Sequence, residues 1–354
     1  MAKKNSSTPP NAGDGHRVTL RDIAEKVGMS HVTVSLALRN DPKISEKSRL
    51  KIRKVADEMG YTPDPMLTSL ARYRHSSTNK PINTAVAWIN LWEDPQKLRS
   101  FKEFDLWWKG ASEAAQRMGY RIDEFVTKGM SAKRLATILK TRNIRGILIP
   151  PYADPPTIDL NEFPWEDFTV IQFGRHDNQP SLHFVTSSQA ANTVLAFDRI
   201  RERGYKRIGF VTGQIMKTRM FGAGFYWTQQ YIPQKERLSI LAFDTHSMVE
   251  QEALLDKWIK KEKPDAILTD FAPLPQLLKE LEVRVPEDIG MATTSIHDTP
   301  IDAGIDQNPK EIGRMGFIAL VSMMNDYEHG IPDIQHEILV GGKWVDGQTL
   351  PDRT

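Results

Sequence analysis

Residues 19–73 read TLRDIAEKVGMSHVTVSLALRNDPKISEKSRLKIRKVADEMGYTPDPMLTSLARY, and the punctuation of this stretch decides the first part of the fold. Thr19 is an N-cap with an acid, Asp22, three residues on, the spacing of a capping box. Ile23, Ala24 and Val27 then share one helical face, and Gly28 supplies the left-handed residue that ends a helix. Ser30 caps again two residues later, so a second helix must leave the first at a steep angle. Val34 and Leu38 repeat at i, i+4 toward a core, and Leu50, Val55 and Met59 are expected to do the same on a third helix. The pattern predicts an all-α helix-turn-helix head over residues 17–62.

The second helix leaves His31, Val32, Thr33, Ser35, Leu36 and Arg39 pointing outward. Hydroxyls near a helix N-terminus suit phosphate oxygens, while His31, Val32 and Leu36 stand where a helix in a major groove meets base edges. Taken alone, these residues also describe an ordinary surface helix. After Gly60, Asp64 is an N-cap and Pro65 fits the first position of a further helix, in a hinge and linker over residues 63–80. Two turns do not hold by themselves. They would order against a second copy or DNA, with Leu70 placed as an apolar wedge in the minor groove. Residues 1–16, MAKKNSSTPPNAGDGH, lack the apolar core of a signal peptide and are expected to be a disordered leader.

The rest of the chain is chemically different. Residues 1–80 hold 15 Lys+Arg against 8 Asp+Glu, leaving 32 against 37 for residues 81–354. A basic head thus sits on a mildly acidic body, as expected where only the head meets phosphates. The chain has no cysteine, which excludes disulfides, thiolate metal sites and cysteine nucleophiles. No apolar run approaches the roughly 18 residues that cross a bilayer, so no membrane partner and a cytoplasmic location are expected.

From residue 81 the pattern alternates strands and helices. Strands are expected at residues 83–91, 121–126, 146–150, 169–173, 207–211, 238–243 and 266–268. Helices are expected at 104–118, 132–141, 190–203, 221–231, 248–260 and 274–281, and residues 337–345 read as a late strand and turn. Such a series predicts an α/β body over residues 81–354: two doubly wound parallel-sheet lobes of ~100 residues each. A ligand would sit at the carboxyl ends of the strands.

On these residues the chain resembles the LacI/GalR family of bacterial transcription regulators. TLRDIAEKVGMSHVTVSLAL follows the family's T-[LI]-x-D-[VI]-A-x-x-A-G-V-S-x-x-T-V-S-x-x-L, and GYTPDPMLTSL follows its hinge. QAANTVLAFDRIRERGYKRIGFVTG, VPEDIGMATTS and AGIDQNPKEIGRMGFIAL resemble later landmarks, so the likeness spans nearly the whole chain. The resemblance implies a repressor acting as a homodimer on a palindromic operator in double-stranded DNA. It implies lobes of periplasmic-binding-protein type that close on a small-molecule effector, a carbohydrate first. His31, Val32 and Leu36 become base-reading residues, Thr33, Ser35, Arg39, Ser45 and Ser48 phosphate contacts, and Leu70 the minor-groove wedge. Two positions depart from the pattern. Leu36 stands where arginine is usual, removing a bidentate guanine contact, and Leu67 replaces a small hinge alanine.

The effector pocket follows the family less closely. Phe221 occupies the usual arginine position, with Arg219 two residues earlier as its substitute, and Thr269-Asp270 replaces an Asn-Asp pair. Trp92, Phe101 and Phe104 are placed to offer a sugar ring an aromatic face, with Arg175, Arg219, Asp270 and His297 as polar candidates. Individually each is more often a packing or surface residue. His176, His183 and His297 stand alone in the sequence, no cofactor or metal is expected, and no G-x-S-x-G, H-E-x-x-H or P-loop occurs. The readings from other classes are a sensor whose head binds a protein, an activator, and an enzyme on the two-lobe scaffold.

Overall fold

The computed structural model describes residues 18–38, 44–61, 84–152, 155–176, 180–213 and 219–353. The chain divides into two compact units, residues 1–81 and 82–354. The expected leader and the hinge with Asp64, Pro65, Leu67 and Leu70 lie outside the described residues, as does Arg39.

In the first unit, helices α1 (Leu20–Val27), α2 (His31–Leu38) and α3 (Glu46–Glu58) enclose a small core. The capping box at Thr19 closes in both directions: Thr19 N–H donates to Asp22 Oδ2 at 2.7 Å, and Asp22 N–H to Thr19 Oγ1 at 3.4 Å. Gly28 ends α1 at φ 70°, and Met29 N–H returns to the Ala24 carbonyl at 3.0 Å. Ser30 then accepts from Thr33 N–H at 3.1 Å, capping α2. The core is Ile23, Ala24, Val27, Val34, Ala37, Ile52 and Ala56.

Leu50 departs from expectation, since it is 63% exposed. Ile52 and Ala56, one helical turn apart, set the buried face of α3. Leu50 lies two residues from Ile52, about 200° around the helix, and so faces away. Val55 and Met59 only border the core, as does Leu38.

The second unit is two parallel-sheet lobes built from an interleaved chain. The first lobe takes β1 (Thr84–Asn90), α4 (Lys102–Arg117), β2 (Tyr120–Val126), α5 (Ala132–Thr141), β3 (Gly146–Ile149), β4 (Thr169–Phe173) and β5 (Phe184–Ser187). The second takes α6 (Gln189–Glu202), β6 (Ile208–Thr212), α7 (Phe221–Thr228), β7 (Ile240–Ala242), α8 (Met248–Glu262), β8 (Ala266–Thr269), α9 (Leu274–Glu280), β9 (Gly290–Thr293) and β10 (Gly304–Asp306). The chain then returns to the first lobe with α10 (Pro309–Asn325) and β11 (Glu337–Val340), and ends in the second with β12 (Lys343–Val345). Strand orders are β11-β5-β4-β3-β1-β2 and β12-β10-β9-β8-β6-β7, parallel except for the β10–β12 pair. The inner strands are buried along their whole length, as β3 (GILI) and β8 (AILT) show, because helices cover both faces.

Residues 337–345 are therefore not one strand and a turn. Gly341 and Gly342 carry the chain from one sheet to the other, and β11 pairs with β5 while β12 pairs with β10. Locally a Gly-Gly between short apolar runs looks like a hairpin. Here the two strands pair with different neighbours. The space at Gly342 is set by Asn192, whose Oδ1 accepts its N–H at 2.7 Å.

Helices α4 and α10 cross so closely that glycine is required on both. A Cβ on Gly110 would sit far inside contact with the Lys310 carbonyl, and one on Gly313 would strike the Trp107 carbonyl. Backbone cannot yield as a flexible side chain can. Gly110→Ala should therefore lower the stability of this unit by about 1–3 kcal/mol in urea titration, and an unchanged midpoint would contradict the packing described. In the head, with its small core, Thr19→Ala should cost about 1 kcal/mol, read from its melting by circular dichroism.

Candidate functional site

On the head, α2 presents a face with no charged residue of either sign in its end turns. Val32 is 53% exposed and His31 is exposed, while Thr33, Ser35 and Leu36 are half-buried beside them. Thr33 Oγ1 shares a 2.9 Å hydrogen bond with Ser30, and Ser48 Oγ one with Ser45, so these hydroxyls are preset at the starts of α2 and α3. Exposed Lys47, Lys51, Arg53 and Lys54 give α3 its positive charge. A neutral, exposed helix face beside cationic side chains suits a major groove flanked by phosphates.

In the second unit, a cleft of about 650 Å³ opens between the lobes. It lies at the carboxyl ends of the strands: Trp92 follows β1, Tyr152 follows β3, Arg175 follows β4, Asp270 follows β8 and Gln307 follows β10. All seven effector candidates read from sequence line it. Trp92, Phe101, Phe104 and Trp107 form a continuous aromatic wall on the first lobe, with successive ring centroids 5.9, 5.3 and 5.3 Å apart. Trp92 Nε1–H donates to the Pro151 carbonyl at 2.8 Å, which fixes its ring. His176 stacks on Tyr152 at 4.1 Å.

The polar candidates differ in availability. Arg175 is ion-paired to Glu337 through one nitrogen and lies over the Phe184 ring. Arg219 lies 3.7 Å from Asp270, whose side chain is only 5% exposed. Burial pushes the Asp270 carboxyl above its usual range, and Oδ1 lacks a hydrogen-bond partner. That oxygen is placed to accept from a ligand hydroxyl or N–H. His297 stands 3.5 Å from Asp306.

Three further residues, not anticipated from sequence, join the lobes directly. Asp298 of the second lobe accepts from Lys102 N–H at 2.7 Å and from Glu103 N–H at 3.1 Å, at the first turn of α4. Ser295 Oγ donates to Glu103 Oε2 at 3.0 Å. Desolvation in the cleft, with Asp298 adding repulsion, raises the Glu103 carboxyl to a pKa of about 7. In sequence Glu103 passes for an ordinary first-turn acid favoured by the helix dipole. Trp107 was detectable as the next turn after Phe104.

The histidines are not solitary. At the opposite end of the first lobe, where β5 and β11 begin, His183 Nδ1 accepts from His336 N–H at 2.9 Å. Its Nε2–H therefore donates to Glu328 Oε1 at 2.6 Å, and the His336 ring stacks on it at 4.7 Å. With both ring nitrogens engaged, His183 offers no lone pair to a cation.

Residues 19–64 match the family model "Bacterial regulatory proteins, lacI family". The head is a LacI-family helix-turn-helix domain. Over its length the chain is 27% identical across 350 residues to the HTH-type transcriptional repressor CytR of Escherichia coli (strain K12), covering 88% of this chain and 91% of that one. The fold is that of a transcriptional regulator CelR–cellobiose complex (TM-score 0.54, 17% identity, 94% of this chain and all of that one). It is also that of a Lac repressor dimer bound to operator and an anti-inducer (TM-score 0.50, 18% identity, 95% and 99%). LacI/GalR-type regulators are thus the relatives of both units, and these relatives are DNA-binding regulators rather than enzymes. Among the described residues, no helix is long and apolar enough to cross a membrane.

The buried Asp270 gives a test of the cleft. A carboxyl whose pKa is raised on folding binds more protons folded than unfolded, so it lowers stability as pH rises above its unfolded value. Asp270→Asn should raise the melting temperature of the unliganded body at pH 8 by a few degrees, on the order of 1 kcal/mol, with a smaller gain at pH 5. A lower melting temperature at pH 8 would mean that the contact with Arg219 outweighs burial.

Proposed function

We propose that the protein is a transcriptional repressor that binds a palindromic site in double-stranded DNA as a homodimer in the cytoplasm, controlled by a neutral, sugar-like effector in the interlobe cleft. The observation that carries this reading is the doubly capped helix-turn-helix with exposed, uncharged α2. A sensor domain with an aromatic wall and a buried acceptor accompanies it in the same chain. Relatives named as repressors, and a relative in fold bound to cellobiose, support both halves.

His31, Val32 and Leu36 read bases. The two alkyl side chains suit thymine methyl groups, and the missing arginine at Leu36 removes a bidentate guanine contact. Thr33, Ser35, Arg39, Ser45 and Ser48 meet phosphates, and Leu70, outside the described residues, wedges into the minor groove. In the cleft, the aromatic wall takes a sugar's apolar face, and Asp270, Arg219 and His297 take hydroxyls. Binding shifts DNA affinity through different affinities for two conformations. A change of ~100-fold in DNA affinity needs about 2.7 kcal/mol of coupling, within reach of a small ligand.

Selection of bound duplexes from a random pool, with and without a panel of sugars, tests the reading. A palindromic consensus is expected, with affinity altered by one sugar class. Deleting residues 1–74 should abolish retardation of that duplex, and surviving retardation would sink the reading in favour of DNA contacts elsewhere. On the selected site, Leu36→Ala or Val32→Ala should cost roughly 5- to 100-fold, about 1–3 kcal/mol, and relax selectivity at one base pair. Thr33→Ala should instead weaken all duplexes alike.

A further inference from the structure

We propose that Ser295 and Asp298 form a proton-linked latch that holds the lobes together at the mouth of the cleft, closing on the first turn of α4 with uptake of a proton at Glu103. The latch stands on three hydrogen bonds that cross from lobe to lobe. Asp298 reaches the two free N–H groups of Lys102 and Glu103 through one oxygen each, at 2.7 and 3.1 Å. These N–H groups start a helix, where an anion is favoured by both the unsatisfied donors and the dipole. Phe101, which precedes α4, supplies no side-chain cap, so the cap comes from the other lobe. Asp298 is held at φ 61°, a conformation Asp tolerates better than most residues.

Capping α4 with Asp298 brings a second carboxyl, that of Glu103, to the same spot. Ser295 binds Glu103 Oε2 at 3.0 Å, so the second lobe grips both the backbone and the side chain of this residue. The other charged groups facing Glu103 are Arg219 and Asp306, and Asp306 has His297 at 3.5 Å. The half-buried Glu103 carboxyl is desolvated beside the exposed Asp298, which has the helix N-terminus to stabilise a charge. Glu103 is therefore the group that takes the proton.

The sign follows from linkage. The Glu103 carboxyl titrates at about 7 when the lobes are closed and near its ordinary 4.5 once opening returns it to water. Closure then binds a proton between those values, and it weakens as pH rises through 7. Between pH 6 and pH 8 the closure constant should fall about tenfold. If the cleft binds the effector as proposed above, effector affinity falls with it.

The experiment needs neither effector nor DNA, so its failure leaves the reading of the head untouched. Because the chain has no cysteine, Lys133→Cys on the first lobe and Val249→Cys on the second attach one spin label to each. Distance distributions of the full-length double-labelled protein are then recorded from pH 6 to pH 8.5. The closed population should be larger at low pH. Glu103→Gln, an uncharged isostere, should remove the pH dependence, and Asp298→Ala should open the lobes at every pH. Asp298→Asn, which keeps the shape with one acceptor fewer, should fall between. A wild-type distribution that does not move with pH overturns the proposal. So does pH dependence that survives Glu103→Gln, or that vanishes in His297→Gln. An Asp298→Ala protein as closed as the wild type rejects the latch itself.

Discussion

Helix α4 carries the constraint on which the second unit depends. Halfway along, its Gly110 lies against the Lys310 backbone, and Gly313 of α10 lies against Trp107 in return. Contact at that distance leaves no freedom for the two helices to slide. Helix α10 starts three residues after β10, a strand of the second lobe. The crossing therefore fixes the first lobe's packing right beside the place where the chain returns from the second. The N-terminal end of α4 receives its cap from the second lobe through Asp298. One helix is thus locked within its own lobe at its middle and bound to the other lobe at its tip.

This arrangement explains why the cleft chemistry sits where it does. The first turns of α4 also bear Phe104 and Trp107, and the residues leading into it bear Trp92 and Phe101. The aromatic wall is positioned by the same helix that Asp298 caps from the second lobe. A ligand stacked on that wall touches the element that the second lobe grips. Differential binding to open and closed forms then needs no long path through the protein, only a preference for one position of α4's first turn. The chain crosses between the lobes three times, at residues 187–189, 306–309 and 340–343.

Much of this was readable from the chain. The head could be read at single-residue resolution because its signals are local: Thr19 with Asp22, Gly28, and Ser30 act through neighbours within four residues. Leu50 was misplaced because an apolar residue on a helix does not itself say which face is buried. Ile52 and Ala56 decide that, through contacts with α1 and α2. In the body, long amphipathic helices and apolar strands declared themselves. Strands β5, β9 and β10 did not, although β3, β7 and β8 are as short and did.

The polar residues at the cleft were named through the family resemblance; sequence by itself determined the helix-turn-helix head, the alternation that makes two parallel sheets, and the strand ends where a ligand would sit. Those follow from local hydrogen-bonding preferences, hydrophobic periodicity, and the rule that ligands gather at the carboxyl ends of parallel strands. Tertiary structure alone decided that residues 337–345 serve both sheets, that Arg175 pairs with Glu337, and that Asp298 caps α4 beside Glu103. Each depends on which distant segment arrives as a neighbour. Asp298 lies 195 residues from Glu103, and no local pattern encodes that meeting.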